Sequence, residues 1–370
     1  MLKKESGFIV NISGNEIQAL RPEPIVSDVE VLPYKRNMNP QIAIDALVNG
    51  HYVLILDFFS SGLTILNALK EYVNATYTDS SFQGQRDFRS AFRDLSHRLL
   101  LLVHNHKLKV KKAPEIGWFK ILYPELNEFL LAFPQVQGLN SSWQWYQKGI
   151  SIPVIHQKIH PWFGTYFPTR FEHLSLFDKW LTTYKAEKKS AMDIGIGSGI
   201  LSFLLLKHGF GKIYGTDTNP NAIIGLNEAI LQNKQYSNIA LMHGDLFAGC
   251  ELKTELIVFN PPWLPASHHS EGVDNAIYYD HQLFPRFFAE AKKHLEPQGR
   301  LVLLFSNLAQ ITKLSNLHPI EVELAEGGRF QKEILLQTKV GEASKKTKRI
   351  QDWRASEMVE LWVLTLKDIQ

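Results

Sequence analysis

The sequence predicts an α/β chain: a doubly wound, mostly parallel sheet with an antiparallel C-terminal edge, preceded by a smaller N-terminal α+β domain. Three observations predict it. From about residue 190 onward, apolar strand patterns alternate with amphipathic helical ones at regular spacing, which calls for a parallel sheet covered on both faces. The chain then ends on two strand patterns with no helix between them, "FQKEILLQTKV" and "MVELWVLTLKD", joined by a basic loop, as an antiparallel edge would. Finally, 370 residues exceed what one core of ordinary size organises, so two domains are expected, 1–150 and 151–370.

Taken in order, "GFIVNISGNEIQAL" reads as a hairpin around Ser13-Gly14-Asn15. "QIAIDALVNG" reads as a short helix ended by Gly50, "HYVLILDFF" as a buried strand and "LTILNALKEYVNA" as a helix. In "DFRSAFRDLSHRLLLLV", Phe88, Phe92, Leu95, Leu99 and Leu102 recur at helical spacing, predicting one helix with Arg86, Arg89, Arg93 and Asp94 on its solvated face. The aromatic stretch "WQWYQKGISIPVIHQKIHPWFGTYFPTR" is expected to supply two strands leading into the second domain. Beyond it, "SAMDIG", "KIYGTD", "IALMHGD", "LIVFN" and "GRLVLLFS" are strands. "GILSFLLLKHG", "PNAIIGLNEAILQN" and "QLFPRFFAEAKKHL" are the helices between them, the second opened by Asn219-Pro220.

Composition narrows the function classes. A formal net charge of +3 is too small to argue for nucleic acid by itself. The single cysteine, Cys250, excludes an intrachain disulfide and a cysteine-built metal site, and it suits a reducing compartment. The N-terminus lacks an apolar run long enough for a signal peptide, and "LLLLV" falls far short of a membrane span. A soluble, cytoplasmic protein without a membrane or metal role is expected. His268 and His269 are adjacent, a spacing that rarely ligates one ion, so they are read as part of a polar loop.

"MDIGIGSGIL" sets Asp193, Gly195, Gly197 and Gly199 between the first strand of the second domain and its helix. Glycines there permit positive φ and close approach of a ligand, and the helix start offers free N–H groups to an anion. The spacing D-x-G-x-G-x-G differs from the dinucleotide fingerprint G-x-G-x-x-G. Asp217 ends the next strand, where a carboxylate can accept both ribose hydroxyls. Asp245, ending the third strand, lies within reach of an adenine amino group, with Leu246 and Phe247 placed to sandwich the ring.

In order and spacing, "DIGIGSG", "GTDTNP", "GDLF" and "NPPW" resemble the class I, Rossmann-like S-adenosylmethionine-dependent methyltransferases. The resemblance covers roughly residues 160–370. It implies that Asp193 and the glycines line the methionine and ribose of S-adenosylmethionine, that Asp217 holds the ribose, and that Asp245 reads the adenine.

"LIVFNPPWLP" breaks a strand with two residues that cannot donate a backbone hydrogen bond, leaving rigid carbonyls at a strand end. Amide and aromatic amino nitrogens are poor nucleophiles because their lone pair is delocalised. Asn260 Oδ1 and the Pro261 carbonyl can accept both hydrogens of such a nitrogen, while Trp263 offers a face on which a planar group stacks. The motif is similar to the "NPPY" of methyltransferases acting on glutamine amides and on exocyclic amines of bases, with Trp263 in place of the tyrosine. That resemblance implies that Asn260 and Pro261 hold the acceptor. "GTYFPTRFEH" also looks like the segment that closes over the cofactor in the glutamine amide enzymes.

The sequence therefore predicts an S-adenosylmethionine-dependent N-methyltransferase whose acceptor is a protein amide or an RNA or DNA base, ahead of a small-molecule amine. A nicotinamide-dependent oxidoreductase requires the absent G-x-G-x-x-G and gives "NPPW" no work. A cofactor-binding module without catalysis needs no clamp. "HNHKLKVKK" and "KKTKR" are read as solvated basic loops, and "ASHHSEGVDNAIYYD" as a loop beside the acceptor. By elimination of role, the first 150 residues are assigned to acceptor recognition.

Overall fold

The computed structural model describes residues 7–79, 82–266, 277–341 and 356–367. His268, His269, the basic run at 345–349 and most of the loop after the Asn-Pro-Pro-Trp motif lie outside them. The chain divides into two compact units, one of residues 1–9 and 18–147, the other of 10–17 and 148–370. Among the described residues no helix is long and apolar enough to cross a membrane.

The chain opens on the hairpin β1 (Ile9–Ile12) and β2 (Asn15–Gln18), turned at Ser13 and Gly14 with φ of 53° and 86°. Two consecutive positive φ values match the twist of a two-residue hairpin turn. The first unit then runs β3 (Val31–Tyr34), α1 (Pro40–Val48), β4 (Tyr52–Ile55), α2 (Phe59–Thr76), α3 (Phe82–Ser96), β5 (Leu99–His104), β6 (Lys107–Leu108), α4 (Trp118–Leu122), β7 (Glu128–Ala132) and α5 (Phe133–Lys148). Strands β3, β4 and β5 are parallel, and β7 pairs antiparallel with β5.

One expectation fails here. The helix predicted to continue through "LLLLV" stops at Ser96; Leu99–His104 is a strand flanked by β4 and β7, its leucines almost wholly buried. The aromatic stretch that follows does supply its two strands, but only after "WQWYQK", which is the last part of α5; there Trp143 and Tyr146 pack on Trp118 with ring centroids 5.3 and 4.8 Å away.

Beyond residues 10–17 of the opening hairpin, the second unit continues with the antiparallel pair β8 (Ile150–Ile152) and β9 (Gln157–Ile159), then α6 (Glu172–Thr183). There follow β10 (Ser190–Ile194), α7 (Ile200–Lys207), β11 (Lys212–Asp217), α8 (Pro220–Gln232), β12 (Ile239–His243) and β13 (Thr254–Phe259). A short parallel pair, β14 (Leu264–Pro265) and β15 (Tyr278–Tyr279), precedes α9 (Leu283–His294) and β16 (Leu295–Ser306). The chain closes with α10 (Leu308–Ile311), α11 (Pro319–Val322), one π-helical turn at Glu323–Gly327, β17 (Phe330–Lys339) and β18 (Met358–Leu366).

Seven of these strands form one sheet in the order β12-β11-β10-β13-β16-β18-β17. Neighbours from β12 to β16 are parallel; β18 runs antiparallel to both β16 and β17. This is the doubly wound, mostly parallel, Rossmann-like sheet with an antiparallel C-terminal edge. Every residue of β13 is buried, Thr254 and Glu255 as well as the apolar run 256–259, as a strand between two parallel neighbours in a covered sheet should be. Against one face of β13 packs a core that includes Phe287, Phe288 and Phe305, with Phe259 and Phe287 centroids 4.5 Å apart.

Candidate active site

Strand order reverses beside β10, whose two neighbours β11 and β13 lead to opposite halves of the sheet. A parallel sheet leaves a crevice at such a switch point, beyond the carboxyl ends of its strands. Register brings those ends level: Ile194 pairs with Thr216 on one side and Phe259 on the other. Gly195, Asp217 and Asn260 are each the next residue along, so three parts of the sequence emerge at one height. All three line a cavity of about 1040 Å³, together with Asp245 and Leu246.

The glycine turn is built from three left-handed residues: Gly195, Gly197 and Gly199 have φ of 65°, 52° and 79°. Their duties differ. Gly195 lines the cavity. Gly197 donates its N–H to Asp217 Oδ2 at 2.8 Å, so the carboxylate of one strand end braces the turn on the next. Gly199 caps α7, and a Cβ there would come within 2.5 Å of Leu226 Cδ2, which is a demand of helix packing. Gly197 and Gly199 therefore shape the turn without lining the cavity.

Asp193 does not line the cavity either. It is buried; Ser202 Oγ donates to its Oδ2 at 2.7 Å, and its Oδ1 has no hydrogen-bond partner among the described residues. Burial pushes its carboxyl up to about 7. Asp217 accepts from the N–H of Asn219 at Oδ1, 2.8 Å, and from Gly197 at Oδ2; burial raises its pKa against those two donors. Each of its oxygens keeps a further lone pair.

Asp245 stands half exposed at the cavity rim and is paired with Arg286 at 2.6 Å. The guanidinium was not foreseen; it reaches back from the first turn of α9. Leu246 has φ of 48°, an uncommon value for a residue with a side chain, and its carbonyl accepts from Thr216 Oγ1 at 2.5 Å. Phe247 departs from expectation: it lies in the core against Phe287 and His294, at 5.8 and 4.8 Å, and cannot flank a ring in the cavity.

At the end of β13, Asn260 and Pro262 line the cavity, while Pro261 is buried and does not. Trp263, read from the sequence as a stacking face, is also absent from the lining. Its indole N–H points to Asn260 Oδ1 at 3.2 Å and to the carbonyl of Leu304 at 3.3 Å. Edge-on to Trp263, at 5.5 Å, is His173 of α6, the last residue of "GTYFPTRFEH" and one with no role of its own read from the sequence. Burial drives the His173 pKa down to about 4, so the ring is neutral at physiological pH.

The segment before α6 lies alongside. The side chains of Asn219 and Asn221 donate to the carbonyls of Gly164 and Phe163, each at 2.8 Å, and Trp162 Nε1 donates to Glu228 at 3.1 Å. A Cβ on Gly197 would sit 3.7 Å from the carbonyl of Tyr166. The cavity continues past Tyr278 and Tyr279 to Leu317, Pro319 and the π-helical turn, where Arg329 and the buried Glu323 are paired at 2.9 Å. Among the described residues no group of three or more His, Cys, Asp or Glu side chains is placed to hold a metal ion.

These donors and acceptors fit a nucleoside with a charged tail. One cavity brings together a glycine turn that leaves room for close approach, a carboxylate with spare lone pairs able to accept vicinal hydroxyls, and a second carboxylate beside a leucine.

The "Methyltransferase small domain" family model matches residues 176–330. A Methanocaldococcus jannaschii protein named "Putative protein N5-glutamine methyltransferase" is 30% identical over 191 residues, covering 49% of this chain and 92% of that protein. Ribosomal RNA small subunit methyltransferase C of Alcanivorax borkumensis is 28% identical over 113 residues, 30% of this chain and 31% of that one. Among solved structures, a ribosomal protein L11 methylase from Lactobacillus delbrueckii subsp. bulgaricus aligns with a TM-score of 0.39 at 20% identity, over 58% of this chain and 87% of the other.

Proposed function

The chain belongs to the class I S-adenosylmethionine-dependent methyltransferases that carry the methyltransferase small domain, and from that premise we propose that it methylates a planar nitrogen, a protein side-chain amide or an RNA base amine. The observation that carries the acceptor class is Asn260. Asn260 lines the same cavity as Gly195 and Asp217, one residue past the end of the neighbouring strand. The similar proteins named for glutamine and for ribosomal RNA both favour an acceptor presented by a macromolecule.

When bound, S-adenosylmethionine supplies an electrophilic methyl group on a sulfonium. The chain's own residues do the rest by binding and orientation. The spare lone pairs of Asp217 accept the ribose hydroxyls, and Asp245 with Leu246 takes the adenine. Asn260 Oδ1 accepts an N–H bond of the incoming nitrogen and orients its lone pair, while Pro261, buried outside the cavity lining, keeps the turn beneath it rigid. Proximity and alignment of this kind account for roughly 7–11 kcal/mol in well-oriented reactions. A strong general base is unnecessary, because the nitrogen loses its proton after the new bond forms. The single, buried Cys250 suits a reducing compartment, and we place the enzyme in the cytoplasm.

Incubation with methyl-labelled S-adenosylmethionine and separated protein, RNA and small-molecule fractions of a cell extract tests the reading. Label should enter protein or RNA, and Asn260→Ala should cut the rate at least a hundredfold, the scale of losing one positioned hydrogen-bonding group, while leaving S-adenosylhomocysteine binding intact. Label confined to small metabolites, or full turnover by that variant, would overturn it.

A further inference from the structure

We infer that Trp263 is a positioning residue: its indole N–H dictates which end of the Asn260 carboxamide is oxygen, and so makes the clamp an acceptor rather than a donor. This rests on the reading of Asn260 as the acceptor clamp. A carboxamide has two ends of nearly equal size, one that accepts and one that donates, and a half turn about its last bond exchanges them. Only one arrangement serves a substrate NH₂. Facing that group with the Asn260 NH₂ would set donor against donor.

Three observations assign the selection to Trp263. Its Nε1 lies 3.2 Å from the Asn260 side chain, and an indole N–H can only donate, so the atom it faces must be the oxygen. The same N–H is shared with the Leu304 carbonyl at 3.3 Å, on the neighbouring strand β16, which anchors the indole to the sheet. His173 meets the indole edge-on at 5.5 Å and is itself buried, with Nδ1 lacking a hydrogen-bond partner among the described residues. The ring is thus fixed in its plane by a strand and a helix. Its absence from the cavity lining leaves the second lone pair of Asn260 Oδ1 for the acceptor.

Trp263→Phe keeps an aromatic ring and deletes the N–H. Labelled transfer into whichever fraction the wild type modifies should fall about tenfold at saturating cofactor, the size of one hydrogen bond's worth, with S-adenosylhomocysteine affinity within twofold. Asn260→Asp supplies the control, since a carboxylate presents oxygen at both ends. Adding Trp263→Phe to Asn260→Asp should then cost less than twofold, whereas a merely structural tryptophan would cost the same in both backgrounds. An acceptor-free readout stands beside these. In spectra of the ¹⁵N-labelled protein with S-adenosylhomocysteine, the Asn260 side-chain NH₂ signals should shift or broaden on removing the N–H. Should Trp263→Phe fail to fold, benzothienylalanine at 263 removes the same N–H without changing the ring's shape. Equal losses in both backgrounds, or an Asn260 signal indifferent to the N–H, would overturn the inference. Full turnover by Asn260→Ala would instead remove the clamp on which it rests.

Discussion

Asp193 and His173 are buried groups whose titration pulls stability in opposite directions. Burial raises the Asp193 carboxyl from an ordinary 3.8 to about 7, so between those values the folded chain holds a proton that the unfolded chain has lost. Its contribution is therefore complete in acid and fades as pH rises toward neutrality. His173 is lowered from 6.5 to about 4, so there the unfolded chain holds the extra proton, and stability is lost as pH falls through that window. Each substitution should expose the other slope. Relative to wild type, Asp193→Asn should gain in thermal midpoint as pH goes from 4 to 7, and His173→Gln should gain as pH goes from 6.5 to 4. Asp217, two of whose lone pairs brace backbone N–H groups, should be intolerant for a different reason. Asp217→Ala should weaken S-adenosylhomocysteine about ten- to a hundredfold by calorimetry, the scale of charge-assisted hydrogen bonds. Asp217, Asp245 and Asn260 were legible from sequence because they sit at strand ends, where any side chain is offered to the crevice. The roles of His173, Thr216 and Arg286 were not, because each acts through a partner distant in sequence.

The elements divide along the same line. From β10 to β16 the alternation of strand and helix could be read directly, and so could the Asn219 cap and the antiparallel finish. In the first unit Leu99 and Leu102 fell on the helical spacing of Phe88, Phe92 and Leu95, yet an apolar run buried on both faces has no period of its own. Pairing with β4 and β7 decided in favour of a strand. Helix α6 escaped notice for a related reason: its buried face, with His173, Leu174, Phe177, Trp180 and Leu181, follows directly on a proline-containing aromatic segment. The start of α7 permits a sharper test. Gly199→Ala combines positive φ with a 2.5 Å clash against Leu226, and should cost about 1–3 kcal/mol in urea unfolding.

At the scale of the whole molecule, the second unit contains every residue assigned to the cofactor or the clamp, which leaves the first to be explained. The proposal that residues 1–150 recognise the acceptor gains a handle from Lys107, Lys109 and Lys111, exposed side chains on alternate positions after β5. If they approach a macromolecular acceptor, replacing all three by Gln should slow labelled transfer several-fold. S-adenosylhomocysteine affinity should stay at the wild-type value, and an RNA acceptor would lose part of its salt dependence. Asn219 shows how the second unit holds its own site together. Its Oδ1 starts α8 by accepting from Asn221 N–H, and its Nδ2 ties the carbonyl of Gly164, 55 positions earlier. One side chain thereby serves as both the first peg of a helix and a fastener for a distant stretch of chain. That stretch cannot peel away alone: hydrogen exchange near Gly164 and at the head of α8 should quicken together, as a single opening event.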